Sequence, residues 1–492
     1  MAKKPRTGCL PFRRRRPLGP LGHVLVLGLG KSGQAVVRYC QGLLGDRVES
    51  ITVAGGVPCE DSRVFAADRA APQVEFSFDQ DEVCGAFDLC IASPGIPPSS
   101  SLYRSAQSAS TEVVSEVEFA WREDNGASLW IAVTGTNGKS TTTALIAHIL
   151  NANGQKARAV GNIGDTCLDA VREGAADVYV TEVSSYQLAS TRDFAPDIAV
   201  LLNITPDHLS WHGNYEAYVA AKTKVFENLP GVPAAFAILN AADAGVFPVV
   251  EHFRAQTIEQ RGFHYIAIGS PGSISAPLDG ADECAFVRDR AMCWSYPSGE
   301  TTFGSVDDLK IKGAHNVVNA LSAALCATLF GAPPEEVAAA LRAFAPLEHR
   351  IEPCGTVGGV VCYNDSKATN VDATVKALAA FGDERPIVLL GGEDKGTDLA
   401  ALVCATEQYA RAAVCFGAAG PRFLEAFAHS ALPHFGAVAL EDAFDTALDH
   451  ASPGDIVILS PACASFDAFD DFEHRGRAFK ALVSRRAHER GA

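Results

Sequence analysis

Short apolar runs that end in glycines and lead into segments of helical period recur along the chain. HVLVLGLGKSGQAVVRYC predicts a buried strand, a glycine turn and a helix, and ESITVAGG predicts a second strand. FDLCIASPGIPPSS adds a strand ending in a Pro/Gly-rich turn, and SEVEFAWRED a helix that closes the unit near Asn125 and Gly126. The pattern restarts in SLWIAVTGTNGKSTTTALIAHIL and continues through the strands DVYVTEVS and IAVLLNI, so a largely parallel sheet is expected. From residue 230 to residue 303 the period weakens while Gly and Pro increase, which predicts an insertion with antiparallel edges. GAHNVVNALSAALCATLF and EEVAAALRAF read as helices and PLEHRIE as a hinge; GVVCYND, PIVLLGG, AAVCFG and DIVILSP read as strands of a third unit. The expected class is α/β in three domains, over 21–125, 126–348 and 349–492, the first and last Rossmann-like.

Composition narrows this picture. At roughly 150 residues per domain, 492 residues make two to four domains, with three in the middle. Hydrophobic residues at 48% and charged residues at 20% describe an ordinary globular enzyme. A formal charge of -17 repels phosphate backbones, so no nucleic-acid partner is expected, and an anionic substrate needs a local basic pocket. The 14 cysteines show no CxxC pair and no zinc spacing, which reads as buried thiols in a reducing compartment, the cytoplasm. Arg13, Arg14, Arg15 and Arg16 before the apolar stretch 21–29 imitate a secretory signal. Pro17, Gly19, Pro20 and Gly22 interrupt that stretch, which serves better as a strand, and no run approaches the roughly 18 residues of a membrane span. Residues 1–20 are read as a basic tail, either a disordered extension or the product of a start site placed too early.

VTGTNGKST is the most informative segment. A strand enters a glycine-rich turn, Gly135, Thr136, Asn137 and Gly138, whose N–H groups can surround a phosphate. Lys139 supplies positive charge, and Ser140 or Thr141 can hold Mg²⁺. Val133 stands at the first glycine of the longer phosphate-loop pattern, so this is the shorter GxxGKS form. The central domain is thus expected to be P-loop ATPase-like. GLGKSG, which includes Gly30, Lys31 and Ser32, fits GxGxxG after a strand. It is either a pyrophosphate site or a turn that packs helix on strand. The second strand ends in Val53, Ala54 and Gly55 where a dinucleotide site wants an acid, which disfavours hydride chemistry.

In order along the chain, VTGTNGKST, TEVSSYQL, NITPDHLSWH, YVAAKTKVFEN, GAHNVVNALSA, HRIE, NDSKATN and SPACASFDAFDDFEHRG resemble the Mur ligases, from about Val24 to Lys480. NDSKATN and the last block resemble the branch of the family that adds D-glutamate. The resemblance implies ATP and two Mg²⁺ ions, with UDP-N-acetylmuramoyl-L-alanine and D-glutamate as partners, no membrane insertion, and a monomer. It makes Glu182 and Ser140 metal ligands, and His208 a neighbour of metal or phosphate, where a lone histidine is otherwise structural. Lys222, by default a solvated helix lysine, matches the lysine that is carbamylated into an oxygen ligand. Asn162 matches a contact to the muramoyl substrate. Asn316 and Asn319, on one helical face, match adenine contacts, with helix-packing amides as the alternative. Arg350 reaches the ATP phosphates in the family, and Asp365 and Lys367 serve the nucleotide. Thr369, Lys395, Ser465 and the backbone near Phe472 match the D-glutamate pocket. VAGGVPCEDS lacks the family's uridine-contact pattern. The expected reaction runs through an acyl phosphate, with Lys139, Lys367 and Arg350 offsetting phosphoryl charge. The rival readings are folylpolyglutamate synthetase or another Mur ligase, a P-loop regulator without ligase activity, and an NAD-dependent oxidoreductase.

Overall fold

A computed structural model describes residues 19–69, 72–124, 126–269, 281–394 and 396–490. The basic tail up to residue 18, Asn125 at the expected first boundary, and Lys395 lie outside the described residues. Three sheets form, distributed over two compact units. One comprises residues 1–308 and 318–342, the other 309–317 and 343–492.

In the first unit, five parallel strands run in the order third, second, first, fourth, fifth along the chain. This is the arrangement of a Rossmann-like half, and it follows from the expected strand Gly22–Leu27 and helix Lys31–Gln41. Gly33 has a packing reason. A Cβ there would lie 2.0 Å from the Gly28 carbonyl oxygen, so only glycine lets the helix approach the strand turn this closely.

The second sheet of this unit has nine strands. Leu129–Thr134 is buried along its whole length and pairs in parallel with Val178–Glu182 on one side and Ile198–Leu201 on the other. Central strands covered on both faces read as continuous apolar runs, which is why WIAV, VYV and IAVL were legible. The weakly periodic stretch is mixed, as expected. Phe236–Asn240 and His264–Ile268 continue the parallel sheet, and Glu283–Arg288, Ala291–Tyr296 and Gly299–Ser305 close it with antiparallel pairs.

The other unit carries a six-stranded sheet. Val360–Asn364, Ile456–Leu459, Ile387–Gly391, Ala412–Phe416 and His434–Gly436 are parallel neighbours, and Glu352–Val357 pairs antiparallel at one edge. Glu352–Val357 and His434–Gly436 escape the sequence pattern because the first contains Pro353 and Gly355 and the second is three residues long. Among the described residues no helix is long and apolar enough to cross a membrane.

Candidate active site

The strand Leu129–Thr134 delivers the chain into residues 135–138, and the helix Lys139–Ala152 starts immediately after them. Gly138 takes φ +85°, and a Cβ on it would lie 2.7 Å from Asn319 Oδ1. The positive end of the helix dipole, with the N–H groups of the first helical turn, makes an anion cradle. Lys139 Nζ donates to the Gly135 and Thr136 carbonyls at 3.0 and 2.8 Å, folded back over the loop. Asn203 brackets Asn137, accepting its N–H at 2.8 Å and donating to its carbonyl at 3.0 Å. Thr136 Oγ1 lies 2.8 Å from the Tyr218 hydroxyl and accepts from the Thr205 N–H at 3.0 Å. Ser140 and Thr141 are buried in the first helical turn.

Lys222 belongs to the same cluster. It is only 2% exposed, so the solvated-lysine alternative does not hold. The helix Tyr215–Thr223 directs its Nζ onto the Gly135 carbonyl at 2.8 Å, with the Tyr218 ring centroid 4.7 Å away. Burial, reinforced by Lys139, pushes the amine well below the ordinary lysine range despite Asp207 and Glu182. Glu182, at the end of Val178–Glu182, is buried, and its Oε1 accepts from Asn162 Nδ2 at 2.9 Å. His208 sits at φ +55° after the X-Pro turn, with its ring centroid 4.8 Å from that of Tyr186 and Nε2 3.6 Å from Asp207 Oδ2. His212, unremarked in the sequence, bonds Ser185 Oγ at 2.9 Å. Burial, with His208 and Lys222 nearby, pushes its imidazole down to about 4.

The GLGKSG turn reaches the same region. Gly30 caps the helix Lys31–Gln41, Ser32 is half-buried beside it, and Lys31 Nζ donates to the Gly164 carbonyl of the GNIG loop that carries Asn162. Arg38 on that helix bonds Asp169 Oδ2 at 2.7 Å, tying the two sheets of the unit together.

A second constellation stands in the other unit. Asp365 is buried, accepting from Ser460 Oγ at 2.8 Å and the Ile351 N–H at 3.2 Å. Burial pushes its carboxyl up to about 7, against the Ser460 bond and the Arg350 charge. Arg350 is half-buried between His349 at φ +63° and Ile351 at φ +43°, a backbone that non-glycine residues rarely adopt. Lys367 Nζ lies 3.6 Å from the Phe472 ring centroid, and the Thr369 N–H donates to the Lys367 carbonyl at 2.8 Å. Ser465 is buried, and the Phe472 carbonyl accepts from Ser366 Oγ at 2.8 Å. Asn316 Nδ2 donates to the Lys312 carbonyl at 2.6 Å, a contact of the helix-packing kind, whereas Asn319 stands at the phosphate loop.

The first unit brings the phosphate loop, Lys139, Lys222 and Asn319 together, and the other brings Asp365 to the Ile351 N–H beside Arg350 and Lys367 to Phe472. Asn203, Tyr218, Ser460 and Arg475 were missed. All four lie inside or beside the quoted motifs, but a buried Asn, Tyr, Ser or Arg announces itself only through its partners.

The family signature described as "Mur ligase middle domain" matches residues 133–327, and "Mur ligase, glutamate ligase domain" matches residues 349–463. The UDP-N-acetylmuramoylalanine–D-glutamate ligase of Koribacter versatilis is 36% identical over 467 residues, covering 95% of this chain and 98% of its own. That of Geobacillus kaustophilus is 35% identical over 467 residues, covering 93% and 96%. The structure of MurF from Acinetobacter baumannii superposes with a TM-score of 0.59 at 16% identity, covering 94% of this chain and 93% of its own, a likeness of fold. With two family signatures and relatives matched almost end to end, this chain belongs to the Mur ligases.

Proposed function

We propose that this chain joins D-glutamate to UDP-N-acetylmuramoyl-L-alanine in an ATP-driven ligation that builds a peptidoglycan precursor. The observation that carries the reading is the convergence of phosphate loop, buried Lys222 and buried Glu182, in a chain whose relatives of that name match nearly end to end. The γ-phosphoryl group of ATP passes to the L-alanyl carboxylate, giving an acyl phosphate and ADP. The D-glutamate amine then attacks the acyl carbon, loses a proton and expels phosphate. Residues 135–141 cradle the ATP phosphates, and Lys139 turns from the loop carbonyls to the phosphoryl oxygens. Asn319 faces adenine, Asn316 keeps its helix-packing contact with the Lys312 carbonyl, and Asn162 and the turn of Gly30, Lys31 and Ser32 face the muramoyl nucleotide.

Ser140, Glu182, His208 and Lys222 are a donor set of hydroxyl, buried carboxylate, imidazole and modifiable amine that suits Mg²⁺. The two ions of this reading supply charge neutralisation to the phosphoryl oxygens when bound. Lys222, once its amine has added to carbon dioxide with loss of a proton, would contribute a carbamate oxygen to this donor set.

Arg350, Asp365 and Lys367 act on the nucleotide, and Thr369, Lys395, Ser465 and the Phe472 backbone hold D-glutamate. Three domains, over 21–125, 126–348 and 349–492, divide these tasks in a monomeric cytoplasmic enzyme. The test is phosphate release from ATP with the muramoyl nucleotide, with and without D-glutamate. Turnover that depends on both is expected, and ATP cleavage indifferent to D-glutamate would remove the reading.

A further inference from the structure

Arg475 lies one turn into the helix Phe472–Arg490 and is completely buried. Its donors go to oxygen atoms of three separate loops. Nε donates to Ser366 Oγ at 3.0 Å and Nη2 to the Ser366 carbonyl at 2.9 Å. Nη2 also donates to the Cys463 carbonyl at 3.1 Å, and Nη1 to the Ala464 carbonyl at 3.0 Å and the Gly391 carbonyl at 3.5 Å. Ser366 Oγ relays the contact to the Phe472 carbonyl. The packing is tight around the fork. A Cβ on Gly392 would lie 2.9 Å from Nη1 and 2.1 Å from the Ala464 carbonyl oxygen. The Glu393 N–H donates to that same carbonyl at 2.9 Å, so the second and third loops are also joined directly.

These loops are the ones that lead to Thr369, to residues 393–394, and to Ser465. A guanidinium is a planar fork with five donors in fixed directions, able to set several backbone segments at once, whereas an ammonium is a compact point with three. Burying a charged group is costly, and well-packed apolar side chains often hold a core equally well. A buried arginine whose donors all go to backbone and hydroxyl oxygens therefore points to geometry rather than to stability.

We propose that Arg475 is the positioning residue of the D-glutamate pocket, fixing Ser366, Gly391, Cys463 and Ala464 so that Thr369, Ser465 and the Phe472 backbone present their donors together. It touches no substrate and acts through these loops. The proposal rests on the reading of the chain as a D-glutamate ligase.

Arg475→Lys and Ser366→Ala test it, with steady-state KM measured separately for D-glutamate, ATP and the muramoyl nucleotide, and melting recorded for each protein. Arg475→Lys should raise the KM for D-glutamate about ten- to hundred-fold, and Ser366→Ala about three- to ten-fold. Both should raise the KM for ATP and for the muramoyl nucleotide clearly less than that for D-glutamate, because the fork's donors go to Ser366, Gly391, Cys463 and Ala464. Equal rises for all three substrates, or an unchanged D-glutamate KM in a folded variant, overturn the proposal. Loss of folding in both variants also overturns it, since Arg475 would then hold the unit rather than the pocket. A wild-type protein with no D-glutamate-dependent turnover removes the ligase reading itself.

Discussion

At the scale of single residues, burial decides what each ionisable group can do. Lys222 is enclosed and fixed on the Gly135 carbonyl, and burial lowers its pKa well below the ordinary lysine range, which suits the proposed conversion to a carbamate. Lys222→Ala should lose nearly all activity, and a short carboxylic acid added to the assay should restore part of it. An active alanine variant, or one that no carboxylic acid rescues, removes the carbamate. Glu116 illustrates the reverse case. It is buried, its Oε1 accepts from the Leu168 N–H at 2.7 Å, and burial pushes its carboxyl up to about 7. Between roughly pH 4.5 and 7 the folded protein keeps this proton while the unfolded chain releases it, so stability falls as pH rises through that window. Glu116→Gln removes the fall. Its stability relative to wild type should improve by up to about 3 kcal/mol between pH 4.5 and pH 8, measured by urea unfolding. Parallel pH profiles would show that Glu116 ionises freely inside the fold. Neither residue was equally legible beforehand. Lys222 stood in a recognisable motif, whereas Glu116 looked like an ordinary acid in the first turn of a helix.

At the scale of elements, the strand, glycine turn and helix unit positions most of the site. These units were readable because a strand buried on both faces is a continuous apolar run, and because glycine marks the turn that follows. Gly138→Ala places a Cβ against Asn319 Oδ1 in a left-handed backbone, so the ATP KM should rise at least about ten-fold with a smaller effect on the muramoyl nucleotide. An unchanged ATP KM would mean that the loop does not hold the phosphates. Gly33→Ala forces a Cβ into the Gly28 carbonyl and should cost about 1–3 kcal/mol of stability, read from denaturant unfolding. A stability equal to that of wild type would show that the helix can move away from the strand turn. Loops were less legible. Asn203, which clasps Asn137 in both directions, and Ser460, which bonds Asp365, act through partners 66 and 95 residues distant in sequence. No local pattern encodes such a pairing.

At the scale of the whole molecule, the proposed ligation requires a protein of net charge -17 to handle a nucleotide, a second nucleotide-linked carboxylate and a dicarboxylic amino acid. The chain places Lys139 at the phosphate loop of one unit and Arg350, Lys367 and Arg475 in the other. The α/β class, the parallel sheets and the antiparallel edge were legible from periodicity. The substrate was legible only through resemblance, because the pocket proposed from NDSKATN, GGEDKG and SPACASF draws its parts from points far apart in the chain. The most direct test of the account uses the muramoyl nucleotide labelled with heavy oxygen in its L-alanyl carboxylate, incubated with ATP and either D-glutamate or L-glutamate. With D-glutamate, the released phosphate should carry one heavy oxygen and the nucleotide should gain one glutamyl residue by mass, while L-glutamate should yield little product. Unlabelled phosphate, or equal use of the two enantiomers, would contradict it.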